Sequence, residues 1–462
     1  MIALVAMAVA LVAEDATPLR AAPRDGSPVL AQLFRGDWLE VRGEEPGWLK
    51  VWDHRRERPG YVRPERVRAY QADASAAPAL KTVVEFLRDA PGFESLGIGA
   101  AALALRCDPQ ADVQAAIGAM AERLARRASF RQNPDLMAAA HREVVESYGV
   151  RFVDLQQEGR VRVCYDGAAF RQVLANAGAA PIDRARAALW LTDAACTDRS
   201  ATPLAVKTWN EWRLAVLAEI ETAPPRFLAL VRLRRAEVLS ALAFQDAREE
   251  DAGAREQVHR AAVHADAAAQ ELALADPGVL AQEDLPLRSQ AALRVASVRW
   301  AAEPPPMPSE KRPHLLFRKG NPGETCVSAI AAGTMQIERC TYGVVWRSSA
   351  QGRGLSLTVA VQPADGWTEL WAFRRAGGKW RVDAIPPGPD LSGPGYVELA
   401  GFSPDGTRLL LARESISQGK LQQRFEVRRA TDLRPLSSSA IPSGAFSRWA
   451  DASWRGRTLA LR

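Results

Sequence analysis

Residues 34–52 read FRGDWLEVRGEEPGWLKVW, and this stretch decides the reading of the whole N-terminal part of the chain. Apolar and polar positions alternate through it, the period of a strand with one buried face. Working outward, Val29, Leu33, Trp38, Leu39, Val41, Trp48, Leu49 and Val51 supply most of the apolar content. Gly36-Asp37, Glu45-Pro46-Gly47 and Pro59-Gly60 predict the turns. Arg35-Gly36-Asp37 also spells an adhesion tripeptide, but its glycine falls where a strand pair must turn.

The same region carries a resemblance. Leu19, Arg20, Pro23, Gly36, Trp48, Val51, Gly60, Tyr61 and Val62 reproduce the spacing of a bacterial SH3-like domain, with a G-W-x-x-V strand and a closing G-Y-V step. The asparagine usual before the first strand is replaced by Thr17-Pro18. The resemblance implies a small barrel over residues 16–71. It also implies an aromatic ligand groove, here Trp38, Trp48, Trp52 and Tyr61. The competing reading is that these rings fill the barrel.

The chain of 462 residues is long for one hydrophobic core, so two to four domains are expected. The net charge of +6 rests on 53 Arg and 7 Lys scattered among acidic residues. No single basic face with interleaved aromatics emerges, which argues against nucleic-acid binding. The opening MIALVAMAVALVAEDA is too short to span a bilayer, which takes about 20 residues. Residues 1–15 suit a signal peptide, with Ala8, Ala10 and Ala13 near a cleavage point, although no basic residue precedes Arg20. A buried first strand is the alternative. Export implies a periplasmic or secreted protein without a stable transmembrane span.

A Pro/Ala stretch then leads into a helical region expected over residues 78–302, with eight or nine helices. Val113, Ile117, Met120 and Leu124 share one helical face. Asp108-Pro109, Asn133-Pro134, Thr202-Pro203 and Asp276-Pro277 read as helix starts. VRFVDLQQEGRVRVCYDG (150–167) alternates like a hairpin. Gly97 and Gly99 suit close helix packing better than phosphate binding. The stripe Trp209, Trp212, Val216 and Ile220 predicts a packed helix face.

The Pro-rich linker EPPPMPSEKRP (303–313) introduces a β region over 314–462. There Gly401-Phe402-Ser403-Pro404-Asp405-Gly406 resembles the FSPDG turn of Tol-associated β-propeller blades, and FSRWADASWRGRTLALR reads as its weaker echo. At roughly 40 residues per blade there is room for three or four blades. A closed ring wants at least four, so a partial propeller or two packed sheets is as compatible as a closed ring. The fold class is therefore multidomain α+β: a small barrel, an all-α middle with one hairpin, and a C-terminal antiparallel β domain.

Chemistry is sparsely marked. Cys326 and Cys340 flank two strand-like runs whose pairing would bring them together as a disulfide, and Cys164 with Cys196 is a second candidate. Cys107 is left over and reads as a buried small residue. His259 and His264 lack the i, i+4 spacing of a helical zinc pair, and no metal or cofactor site is expected. His54 in DHRRER reads as a solvated loop. No nucleophile, phosphate-loop or dinucleotide motif occurs, so no catalytic residue is assigned. The functional expectation is a non-enzymatic envelope binding or scaffold protein, with peptidoglycan or envelope proteins as partners. The alternative is a cell-wall hydrolase whose SH3-like domain targets it, using converging carboxylates or a Cys164–His pair.

Overall fold

The computed structural model describes residues 8–129, 136–157, 160–197, 201–249, 254–306, 312–389, 393–417, 420–451 and 454. The expected signal peptide's first seven residues, part of the Pro-rich linker and most of the C-terminal echo lie outside them. The chain forms two compact units, residues 1–200 and 201–462. The division falls inside the helical stretch rather than at its ends.

Unit 1 starts with seven strands: β1 (Ala8–Val12), β2 (Thr17–Arg20), β3 (Val29–Leu33), β4 (Trp38–Glu45), β5 (Trp48–Asp53), β6 (Arg58–Val62) and β7 (Val67–Gln71). Their order in the sheet is β3-β2-β6-β5-β4-β1-β7. The anticipated closed barrel is not what forms: β3 and β7 are free edges, and the sheet is open. It still curls on itself, because Leu33 of β3 and Val67 of β7 share one buried cluster with Ala10, Val12, Leu19, Leu39, Val51 and Val62. The cause of the difference is β1. The segment Ala8–Val12 lies inside the sheet, antiparallel to β4 and to β7. Because successive strand side chains alternate faces, Ala10 and Val12 enter the curled core while Val9 and Leu11 point to its other side.

That second side is covered by helices α1 (Ala77–Leu87), α2 (Glu94–Cys107), α3 (Gln114–Ala128) and α4 (Leu136–Glu146). Val9 and Leu11 join Leu80, Val84, Ile98, Leu103, Met120 and Leu124 in one core. Val113, Ile117, Met120 and Leu124 do share the buried face of α3 or its N-cap. Gly97 and Gly99 act by close packing: a Cβ on Gly97 would sit 2.3 Å from Met120 Sδ, and one on Gly99 2.8 Å from the Gly36 carbonyl oxygen. The hairpin β8 (Phe152–Gln157) and β9 (Arg160–Tyr165) follows, then α5 (Ala168–Ala175) and α6 (Pro181–Leu191).

Two expected punctuation marks behave differently. Pro59-Gly60 lies within β6, not in a turn; a Cβ on Gly60 would sit 2.5 Å from the Leu19 side chain, so the glycine serves strand packing. Asp108-Pro109 follows the end of α2, and α3 begins only at Gln114.

Unit 2 opens with α7 (Pro203–Ala218), α8 (Pro225–Arg248), α9 (Ala254–Leu274) and α10 (Leu285–Val298), making ten α-helices before the β region among the described residues. Thr202 caps α7 through its hydroxyl, with Pro203 at the first turn. Asp276-Pro277 starts only a single 3₁₀ turn. Three antiparallel meanders follow. The first is β10 (His314–Lys319), β11 (Thr325–Ala331) and β12 (Thr334–Thr341). The second is β13 (Val344–Arg353), β14 (Ser356–Ala364), β15 (Trp367–Ala376) and β16 (Lys379–Ile385). The third is β17 (Gly395–Phe402), β18 (Arg408–Ser417), β19 (Lys420–Arg429) and β20 (Pro435–Ser439). The second and third touch edge to edge only at Trp367↔Gly395 and Thr368↔Tyr396, where β15 and β17 run parallel.

Alternation explains the layering. Leu357, Val359, Trp371 and Phe373 meet Leu315, Val327 and Ala329 of the first meander. The opposite face of β15, Leu370 and Ala372, meets Val397, Leu399, Leu409 and Leu411 of the third. Gly444–Trp449 is a helix (α11), not the strand turn that the FSPDG echo suggested, and Phe446 closes the last apolar layer with Phe425 and Trp454. Ser403–Gly406 does form a turn between β17 and β18. Asp405 accepts from the Ser403 and Thr407 hydroxyls and the Thr407 N–H, which holds its carboxyl down at about 2.

Candidate functional site

The expected aromatic groove maps onto the face of β5 and β6 that points away from the curled core. Leu49 and Val51 of β5 are core residues, so Trp48, Lys50 and Trp52 occupy the other face. Tyr61 lies opposite Lys50 and shares that face. Trp48 is 4% exposed and lies under the Arg63 guanidinium, 4.0 Å from the ring centroid. Trp52 is half-buried beneath Arg42, at 4.5 Å. Glu40, on the same face, pairs with Arg42 at 3.2 Å and with His54 Nε2 at 2.8 Å. The Arg42 hydrogen bond, and to a smaller degree His54, holds the Glu40 carboxyl below its ordinary range. Lys50 is exposed and Tyr61 half-buried beside it. The surface is thus a ring-and-guanidinium patch with accessible edges at Trp52, Lys50 and Tyr61.

Trp38 is not part of it. Its indole N–H donates to the Gly99 carbonyl at 3.1 Å, and its ring packs 5.0 Å from that of Tyr148. The helices α2 and α4 cover the part of the sheet where it sits. The structure therefore groups Trp48, Trp52 and Tyr61 and assigns Trp38 to packing.

The Arg35-Gly36-Asp37 turn is enclosed. Arg35 pairs with Asp15 at 3.0 Å, donates to the Gly92 carbonyl and stacks on Phe93. Gly36 has φ +91°, and a Cβ there would lie 2.2 Å from the Ser95 carbonyl oxygen. The Tyr148 hydroxyl donates to the Gly36 carbonyl, and burial pushes that phenol well above its ordinary value. Asp37, 2% exposed, accepts from the Phe34 N–H at 2.9 Å and pairs with Arg55 at 2.9 Å and Arg56 at 3.3 Å. Asp53 is fully buried and also holds Arg56, at 2.8 Å. His141 closes the cluster through Nε2 to Asp15 at 2.8 Å. An adhesion loop needs its Arg and Asp side chains in solvent; here Arg35 and Gly36 join the sheet to the helices and Asp37 is buried within the sheet's own ion pairs.

Both candidate disulfides are present. Cys164–Cys196 links β9 to the turn after α6, and Cys326–Cys340 joins paired positions of β11 and β12. Cys107 is free and half-buried, and burial pushes its thiol up. Among the described residues one trio brings three ligand-type atoms together, Glu324, Cys326 and Cys340, and both its sulfurs are spent in the disulfide. Cys164 likewise has no thiol to offer a histidine.

Sequence reasoning missed a second buried polar group. Tyr396 and Glu398 share a face of β17, and Glu414 lies opposite Tyr396 on β18. Glu398, 1% exposed, pairs with Arg299 at 2.5 Å and accepts from Trp454 Nε1 at 2.7 Å and from the Tyr396 hydroxyl. Among the described residues, Glu414 has only a long contact to Gln423 Nε2 at 3.4 Å. Its burial, with the Glu398 charge nearby, pushes its carboxyl up to about 7. The only advance signal was an acidic residue at an inward position of an apolar strand. A third cluster, Lys207 and His264 on buried Asp246, ties α7 and α9 to α8. On the predicted Trp stripe of α7, Val216 and Ile220 are buried while Trp212 is 41% exposed.

No helix among the described residues is long and apolar enough to cross a membrane. No family model, curated protein or solved structure matches the chain.

Proposed function

We propose that this chain is a non-enzymatic binding or scaffold protein of the bacterial cell envelope, and that its SH3-like N-terminal sheet recognises wall glycopeptide or an envelope protein. The observation that carries the reading is the shared outer face of β5 and β6. There Trp52, Lys50 and Tyr61 present aromatic edges and a cation beside a fixed Glu40–His54–Arg42 group. Aromatic faces with a few positioned polar groups suit sugar rings and peptide backbones. In this reading the three stacked meanders of unit 2 are a partial β-propeller whose FSPDG turn is one blade corner.

A periplasmic or secreted location is supported by the two disulfides, which persist in oxidising compartments. Cleavage near Ala13 would remove β1 from between β4 and β7, so the exported form compatible with this sheet keeps Ala8–Val12. Sequencing the N-terminus of the protein recovered from the periplasm reads this directly.

The test of function is retention of the purified full chain on insoluble peptidoglycan, run beside an assay for released muropeptides. Retention without release, weakened about tenfold by Trp52→Ala with Tyr61→Ala, is the expected result. Release of muropeptides would establish the wall-hydrolase alternative instead. Absence of retention would remove the wall as ligand.

A further inference from the structure

A cavity of about 300 Å³ opens where the second and third meanders of unit 2 part. Along the layer between them the side chains are apolar as far as Ile385 and Leu411. Beyond that, β16 runs into Pro386-Pro387-Gly388-Pro389, and β18 continues on the same face with Arg413 and Ser415. The neighbouring strand β19 adds Arg424 opposite Arg413 and Gln422 opposite Ser415. The layer thus changes from apolar to cationic at the cavity.

Several features mark this as a place built for an anion. Two arginines sit directly opposite each other across a strand pair, an arrangement that repels unless a negative group lies between them. Arg413 shares Glu426 with Arg428, at 2.9 Å and 2.7 Å, and its Nε is buried without a hydrogen-bond partner. Arg424 has no ion pair among the described residues. The Ser415 residue is 4% exposed, and its hydroxyl has no hydrogen-bond partner among the described residues. Gly388 packs close against Ser415: a Cβ there would lie 2.7 Å from Ser415 Oγ, so a larger residue at this position would crowd the hydroxyl.

We propose that this cavity binds the free carboxylate end of a short peptide-like ligand. The paired guanidiniums take the two carboxylate oxygens, for which their planar fork is suited. Ser415 Oγ donates a further hydrogen bond. The rings of Pro387 and its neighbours cover a small apolar side group, and a volume of this size accommodates about two alanine-sized residues. A bare phosphate would meet the guanidiniums but leave the proline side unfilled. The site goes beyond the wall-recognition reading and uses none of its residues.

The experiment is calorimetric titration of the full chain with N-acetyl-Ala-Ala, its C-terminal amide, and inorganic phosphate as separate probes. Expected are binding of the acid in the millimolar range or tighter, and about tenfold weaker binding of the amide. Arg424→Ala, at an exposed strand position, should keep the circular-dichroism spectrum of the parent and weaken the acid about tenfold. Gly388→Val should fill the cavity and abolish binding. Equal binding of acid and amide overturns the proposal, as does no binding of the acid, phosphate binding without peptide binding, or an Arg424→Ala variant that binds normally.

Discussion

Two of the buried carboxylate clusters differ in how their charge is met. In unit 1, Asp37 and Asp53 flank the β4–β5 hairpin, and Arg55 and Arg56 in the turn that follows it meet both, so one short piece of chain supplies each negative charge with its cation. In unit 2, Glu398 collects Tyr396 from its own strand but Arg299 and Trp454 from two distant segments, and among the described residues Glu414 has a glutamine amide alone. A local cluster arrives complete with its hairpin. A cluster assembled across the fold can leave one member unmatched, and that member gives up its charge near neutral pH.

Removing the anion from the complete cluster should have the largest effect. Asp37→Ala takes the buried anion from two half-buried guanidiniums and the Phe34 N–H, and should lower stability by about 3–5 kcal/mol. A clear fall in the first calorimetric transition checks it; a loss below about 1 kcal/mol would mean that water replaces the carboxylate at no cost.

Glu414 should behave in the opposite sense. Its folded carboxyl titrates near 7 instead of the ordinary 4.5, so its contribution is complete below about 4.5 and falls away as pH rises towards 7. Glu414→Gln should therefore stabilise the protein at pH 8, by up to roughly 3 kcal/mol, and leave it nearly unchanged at pH 4. Melting curves at both pH values decide this. A variant that is destabilised equally at both would show that the charge is not the burden.

Tyr396→Phe removes one of several donors on Glu398, at a cost of about 1.5–3 kcal/mol for a hydrogen bond to a charged group. Glu40→Gln is the surface control. It breaks exposed pairs with Arg42 and His54 and should shift stability by no more than about 1 kcal/mol in either direction, as urea midpoints would record.

What could be read in advance follows the same division between local and distant. Alternation placed the strands around Trp38 and Trp48, the Pro46-Gly47 corner and the hairpin at 150–167, because each depends on neighbours in sequence. The Cys326–Cys340 bridge was legible for the same reason: a short hairpin puts its flanks together. Gly60 was misread because the constraint on it comes from Leu19 on another strand. Trp38 was grouped with the ligand-facing rings because alternation gives a face but not what lies on it, and here α2 and Tyr148 lie on it. The part of the candidate surface formed by Trp52, Lys50 and Tyr61 needed only strand register. Tyr396, Glu398 and Glu414 needed tertiary contacts with Arg299 and Trp454, and an acidic residue at an inward strand position was too slight a mark to single two out of 54.

Gly36 has a further consequence for how unit 1 can be cut. Its Cα rests against the Ser95 carbonyl, its own carbonyl lies against Gly99, and its neighbours Arg35 and Trp38 hydrogen-bond to α2 or the loop before it. A fragment ending near residue 71 would keep every strand yet expose Val9, Leu11 and Trp38 together. Such a fragment should be sticky and should dimerise or aggregate, while one ending at residue 200 should stay monomeric. The glycine at the centre of the adhesion-like triplet is thus the seam that makes sheet and helices a single heritable piece: neither side could be shuffled to another protein without the other.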